Sequence, residues 1–239
     1  HRRDDGRAGG GAGHGERPAG GAHAFVESAQ ARGFPVDVVL DDARTAVARG
    51  MDFLVVQGPD AGGHRSTFDL HADPDEAPLP DLLEQIRAAV DVPLLAAGGI
   101  ATPDDTVAAL GMGAVAVQAG TAFLRSSSAG SSATHRAALA SDDFTDTGLT
   151  RAFSGRFARG LVNEFMSMFD GVENVAPSAY PEVNRMLAPL RRAAAEAGDP
   201  QWTHLWAGAG WRRTASAMPG RMIDGDAGRI TRWLAGREG

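Results

Sequence analysis

The sequence contains neither cysteine nor lysine. Without thiols there is no disulfide, no thiolate nucleophile and no zinc–sulfur site. Without an ε-amino group there is no Schiff-base chemistry and no P-loop lysine. No apolar run approaches the roughly 18–20 residues that span a bilayer, and the start of the chain lacks the apolar core of a signal peptide. Positive charge is the scarcer sign: 23 basic residues, all arginine, stand against 30 acidic ones, for a net charge of −7. That balance argues against a nucleic-acid or anionic-membrane partner. The expectation is a soluble cytoplasmic protein. At 239 residues and 43% hydrophobic content the chain can form one large domain or two small ones.

Residues 1–24 have no aliphatic side chain larger than alanine apart from proline. Such a stretch cannot bury enough surface to offset its ordering entropy, so it reads as a disordered Gly/Arg-rich arm. Its histidines are irregularly spaced among glycines, and no metal site is expected there. The sequence does not begin with methionine, and the expectation is either a fragment or the product of a disrupted reading frame. Order is expected from Phe25, with a short helix over 25–32, a strand over 35–40 and a helix over 41–49 ended by Gly50. A continuous apolar run, Met51–Val56, has the pattern of a buried parallel strand. It leads into Gln57-Gly58-Pro59-Asp60-Ala61-Gly62-Gly63-His64, a loop with three glycines and one histidine. After a polar loop, residues 81–90 form an amphipathic helix.

Residues 92–123 carry the clearest organisation. Two apolar runs, 92–97 and 114–117, each end in a glycine-bearing turn. Between them lies a helix capped by Thr102, with Pro103 at its first position and Asp104 and Asp105 at the positive end of its dipole. Strand, helix and strand make one βαβ unit. The turns Ala97-Gly98-Gly99 and Ala119-Gly120-Thr121 then sit at the carboxyl ends of neighbouring strands, where bare backbone N–H groups can wrap an anion. A (β/α)8 barrel commonly builds a phosphate site in this way after its last two strands. Only four strands can be placed, however. The fold class is therefore α/β: either the C-terminal half of a TIM-type (β/α)8 barrel, or an open doubly wound sheet. A half barrel leaves an exposed strand edge, which favours pairing with another chain, a homo-oligomer included. The chain divides as an arm (1–24), a half barrel with the anion site (25–145) and a helical segment (146–239), with helices near 133–140, up to Phe169, over 181–196 and over 227–234. The aromatic stretch 201–211 is placed to cover a pocket.

Five segments in order, QGPDAGGHR (57–65), PLLAAGGI (93–100), GAVAVQAGTAFL (113–124), TRAFSGRFARGL (150–161) and HLWAG (204–208), resemble the FMN-dependent nitronate monooxygenases, formerly 2-nitropropane dioxygenases. The resemblance runs from about residue 35 to the C-terminus; the family's N-terminal half has no counterpart here. It implies a flavoenzyme that oxidises alkyl nitronates or nitroalkanes with O2 to a carbonyl compound and nitrite. It implies that Gly98, Gly99, Ala119, Gly120 and Thr121 hold the FMN phosphate, that Gln57, Gly62, Gly63 and Gln118 lie against the flavin, and that no metal is needed. It also makes His64 the catalytic candidate. An imidazole with an ordinary pKa near 6.5 is suited to removing a proton from a carbon acid, or, when protonated, to binding an anionic nitronate. Arg151, Arg156 and Arg159 read as a solvated or ion-paired face. Tyr180 is a minor pocket candidate, and Trp202, Trp206 and Trp211 read as core. Two other readings stay open: a flavin-dependent enoyl-acyl-carrier-protein reductase, which shares the Gly-Gly-His loop, and a non-catalytic barrel remnant.

Overall fold

Four strands pair in parallel: β1 (Gly33–Val36), β2 (Phe53–Gln57), β4 (Leu94–Ala97) and β5 (Ala116–Gln118). A two-residue strand, β3 (Gly63–His64), belongs elsewhere. The structure is a computed structural model that describes residues 40–171 and 178–237, and the backbone of 33–36. The arm 1–24 and the helix over 25–32 lie outside the described residues. The first strand starts at Gly33, two residues earlier than its apolar run suggests. The second starts at Phe53, because Met51 closes the preceding turn through its N–H to the Ala46 carbonyl.

The sheet order is β1-β2-β4-β5. Each strand lies beside the next parallel strand, as in a barrel, whereas a doubly wound sheet reverses its order at a switch point. The half-barrel alternative is the one the chain adopts. The crossovers are α1 (Leu40–Ala48), α2 (Leu79–Ala89) and α3 (Pro103–Gly111). In β2, Leu54, Val55 and Val56 are all buried, which explains why its sequence shows no alternation. Leu54 and Val56 pack with Leu94 and Ala96 of β4 against Leu82, Leu83 and Ile86 of α2. Ile86 is fully buried in this layer, so Ile86→Ala is expected to lower stability by about 3 kcal/mol, read as a shifted urea midpoint.

The C-terminal part differs from the helical segment expected from the sequence. It opens with an antiparallel pair, β6 (Thr147–Thr150) and β7 (Ala158–Leu161), and β3 joins β7 to complete a three-stranded sheet, β3-β7-β6. Strands of two to four residues, rich in Gly and Thr, are too short to show a period of two. This sheet also crosses the expected division at residue 145, since β3 comes from the half barrel. The expected single helix over 181–196 is two, α6 (Glu182–Met186) and α7 (Ala188–Ala197). Pro189, in the first turn of α7, cannot donate a bond back into α6. The helices α4 (Ala133–Ala140), α5 (Glu164–Met168) and α9 (Ala227–Leu234) fall where the pattern places them, whereas α8 (Trp211–Ala217) carried no recognised signal. Among the described residues no helix is long and apolar enough to cross a membrane.

Candidate functional site

The strand register decides where the loops meet. Gln57, Ala97 and Gln118 are aligned across β2, β4 and β5, so the three chains leave the sheet at one level. The turns that follow enclose a cavity of about 220 Å3. Gln57, Gly62, Gly63, Gly98, Gly99, Gln118, Ala119, Gly120 and Thr121 all line it. The nine residues assigned to a cofactor from the sequence are therefore brought together. Asp60 adds an acidic side chain to the lining, and its charge acts on the nearby Arg159 guanidinium.

Local packing holds each wall. Gly98 has φ +87°, and a Cβ there would stand 2.9 Å from the Gly58 carbonyl oxygen and 3.0 Å from the Ala61 nitrogen. Only glycine satisfies both the left-handed backbone and the close approach. The helix after this turn begins with a reciprocal cap: Thr102 Oγ1 accepts from Asp105 N–H, and the Asp105 carboxylate accepts from the N–H groups of Ala101 (2.9 Å) and Thr102 (2.8 Å). Arg213 of α8 donates to the same carboxylate at 2.7 Å and to the Gly99 carbonyl at 2.9 Å, tying the glycine turn to the C-terminal helices. Burial pushes the Asp105 pKa up, but the bonds from Arg213, Ala101 and Thr102 and the arginine charge outweigh it and hold the carboxyl below its ordinary 3.8. Asp105→Ala removes the cap and leaves Arg213 without this partner. The expected loss is about 1–2 kcal/mol in urea unfolding; an unchanged midpoint would show that the cap is redundant.

The turn after β5 is braced from the other side. Residues Thr121–Phe123 form one 3-10 turn, and Ala122 is sealed beneath Ile230, Trp233 and Leu234 of α9 together with Met218 and Met222. Thr121 Oγ1 accepts from the Gly208 N–H at 2.9 Å. Accepting that bond leaves the hydroxyl proton to be given to a ligand oxygen. Gly208 and Gly210 line the cavity with Trp206. The 201–211 stretch therefore does close a pocket, and Trp206 belongs to its wall, while Trp211 is core.

His64 lies outside this cavity. It lines a neighbouring hollow of about 750 Å3 with Tyr180, Arg156 and Ser66. The link is Gln57, which lines the first cavity and whose side chain donates to the His64 carbonyl at 3.2 Å. Pairing of β3 with β7, Gly63 to Arg159 and His64 to Ala158, fixes the histidine backbone. Its ring stands 5.2 Å from Tyr180 and 5.8 Å from Trp206, centroid to centroid, and its Nε2 is 2.9 Å from Ser154 Oγ. Burial, then the charges of Arg156 and Arg191, hold the His64 pKa below 6.5. At neutral pH the ring is uncharged, which favours the proton-abstracting role over the anion-binding one.

Arg156 and Arg159 are not part of a solvated or ion-paired face. Arg156 donates to the carbonyls of Arg65 (2.7 Å) and Thr67 (2.6 Å), and Arg159 to that of Pro59 (3.0 Å), so two residues of the 150–161 segment clip the 57–67 loop in place. Arg65, 1% exposed, donates to the Gly58 carbonyl at 2.8 Å from inside that loop. Ser154 and Arg65 are the site residues that the sequence did not single out, and Trp206, read as core, belongs to the cavity wall. Their only signal was membership of the five ordered segments. Among the described residues no group of His, Asp and Glu could hold a metal ion.

The fold and this cavity define the class: a TIM-type (β/α)8 barrel protein, represented by four of its parallel strands and the turns that follow them. The nitronate monooxygenase family model matches residues 33–223, and the chain belongs to that family. A probable nitronate monooxygenase of Staphylococcus aureus (strain JH9) is 38% identical over 187 residues, which is 77% of this chain and 52% of that protein. One from Staphylococcus saprophyticus is 38% identical over 172 residues, 71% of this chain and 48% of its own length. The chain thus spans about half the length of the curated relatives it matches. Among solved structures, nitroalkane oxidase from Streptomyces ansochromogenes superposes with a TM-score of 0.75 at 40% identity, over 87% of this chain and 57% of that one. FabK from Thermotoga maritima shares the fold, with a TM-score of 0.66 at 24% identity.

Proposed function

We propose that this chain forms the phosphate-binding and proton-abstracting side of an FMN-dependent enzyme that oxidises alkyl nitronates or nitroalkanes with O2 to a carbonyl compound and nitrite. The observation that carries the reading is the convergence of nine residues, from the loops after three strands, on one cavity at the ends of β2, β4 and β5. The cavity fits a phosphate end. No atom lies within 4 Å of where a Cβ of Gly63 or Gly120 would stand, so the backbone there is open to a ligand, and Thr121 offers a hydroxyl. Its volume is below the roughly 300–1,000 Å3 of pockets that swallow a drug-sized ligand. That suits the phosphate end of FMN, and Gln57, which lines the cavity and donates to the His64 carbonyl, would hold the flavin on the side of the His64 hollow.

When bound, FMN supplies the two-electron acceptor that is returned to its oxidised form by O2. The protein's own residues do the rest. Gln57 and Gln118 orient the ring edge, Trp206 keeps water from the wall, and neutral His64 takes the proton from the carbon next to the nitro group. Its lowered pKa keeps that base free at neutral pH.

Titrating the purified chain with FMN and following flavin fluorescence tests the first half of the reading; saturable quenching is expected, and a flat titration sinks it. His64→Gln in the flavin-loaded protein tests the second half. Turnover of neutral nitroalkane is expected to fall on the order of a hundredfold, while preformed nitronate is still oxidised. Equal losses on both substrates would remove His64 from proton transfer.

A further inference from the structure

Ser154 makes three contacts through a single hydroxyl, and these determine which nitrogen of His64 carries the proton. Its Oγ lies 3.0 Å from the Arg156 carbonyl oxygen, 3.4 Å from the Arg156 N–H and 2.9 Å from His64 Nε2. Ser154 is 1% exposed, so water does not substitute for any of the three. A hydroxyl has one proton to give and two lone pairs to receive with. A carbonyl oxygen has no proton, so the contact with Arg156 O is a bond only if Ser154 donates there. The lone pairs then receive the Arg156 N–H and one more donor, and that donor is Nε2–H. The opposite assignment, with Ser154 donating to a bare Nε2, turns two lone-pair-bearing oxygens toward each other at 3.0 Å with no hydrogen between them, a repulsive contact in place of a bond.

From this satisfied set we infer that Ser154 is a positioning residue that holds neutral His64 as the Nε2–H tautomer, leaving Nδ1 as the basic atom. The proton removed from substrate arrives at Nδ1, and the Nε2–H bond to Ser154 persists unchanged through the step. No ring flip or proton shift between nitrogens is required. The surrounding structure supports a fixed ring. Tyr180 and Trp206 stand against it, β3 pairing anchors its backbone, and Arg191 of α7 donates to the Phe153 carbonyl at 2.8 Å, immobilising the residue before Ser154. The sequence around Ser154 serves the same end: Gly155, with φ +78°, lets the hairpin loop turn directly beneath the serine. That Nδ1 acts as a base rests on the proposed function; the tautomer does not.

Nitrogen-15 labelling of histidine in the whole chain, with His64→Gln used to assign the signal, reads the tautomer directly. In the unmodified protein above its titration range, His64 is expected to show a single Nε2–H form whose proton exchanges slowly with water. Ser154→Ala is expected to release that proton to fast exchange and to admit the Nδ1–H form, and Ser154→Thr to restore the original pattern. An Nδ1–H signal in the unmodified chain overturns the assignment, and this outcome stands even if Ser154→Ala does not fold. So does a Ser154→Ala variant whose Nε2–H stays as slow to exchange. A chain with the Nε2–H signature that takes up no FMN sinks the flavin reading alone; one that binds FMN with Nδ1–H sinks the tautomer alone.

Discussion

Gly62→Ala is expected to lower the stability of the chain by about 3 kcal/mol and to abolish cofactor uptake with it. A Cβ at Gly62 would stand 2.5 Å from the Gly208 nitrogen and 2.6 Å from the Ala207 carbonyl carbon. Both are backbone atoms, and they cannot step aside. Gly208 N–H is bonded to Thr121 Oγ1, Ala209 N–H to the Asp60 carbonyl at 3.0 Å and Ala207 N–H to the Arg159 carbonyl at 3.3 Å, while Ala207 itself is 1% exposed. The added methyl group must therefore separate the loop after β2 from the 204–210 segment, opening the cavity wall. Gly120→Val is the matched control. Gly120 has an ordinary φ of −101°, and no atom lies within 4 Å of its Cβ direction. This variant is expected to unfold within about 0.5 kcal/mol of the parent, yet to bind FMN at least about tenfold more weakly, because the side chain fills ligand space. Urea unfolding and FMN titration on both proteins separate the two effects. A stable Gly62→Ala protein would refute the packing argument, and undiminished FMN binding by Gly120→Val would move the phosphate elsewhere.

Acidification is expected to destabilise the protein between pH 6.5 and about 4, chiefly through His204. Its ring packs between Trp206 at 5.4 Å and Phe153 at 6.3 Å, and burial, followed by the charges of Arg191, His135 and His64, lowers its pKa to about 4. The unfolded chain takes up a proton near 6.5, whereas the folded chain resists until about 4. The stability linked to this group is thus fully present above 6.5 and is lost as pH falls toward 4. The gap corresponds to on the order of 3 kcal/mol. His135 and His64, also held below 6.5 by burial, add in the same direction. Asp105 does not contribute in this window, because its depressed pKa makes its own contribution disappear only below 3.8. His204→Phe keeps the aromatic packing and removes the titrating group. Its urea midpoint is expected to change much less between pH 7 and 4.5 than the parent's; parallel pH curves would locate the acid sensitivity elsewhere.

The half barrel and its glycine turns were legible because their signals are local. A run such as FLVV needs burial on both faces, Thr102-Pro103-Asp104-Asp105 can only begin a helix well, and paired glycines after two strands leave backbone amides bare. His64 stood out as a histidine beside two glycines in one of those turns. Its actual setting did not. The strand that holds it is two residues long, its partner lies more than ninety positions away, and Ser154, Tyr180 and Trp206 reach it from three different segments. Arg156 and Arg159, spaced like a solvated face, instead clip a distant loop through its carbonyls.

The strand–helix units, the cap before α3 and the glycine turns are encoded locally, since each depends on neighbours within a few residues. Long-range packing sets the sequential strand order, brings nine residues to one cavity and gives His64 a separate hollow with its Nε2 against a serine. These depend on long-range register and on which backbone groups still need partners, and a chain settles both only when distant segments pack.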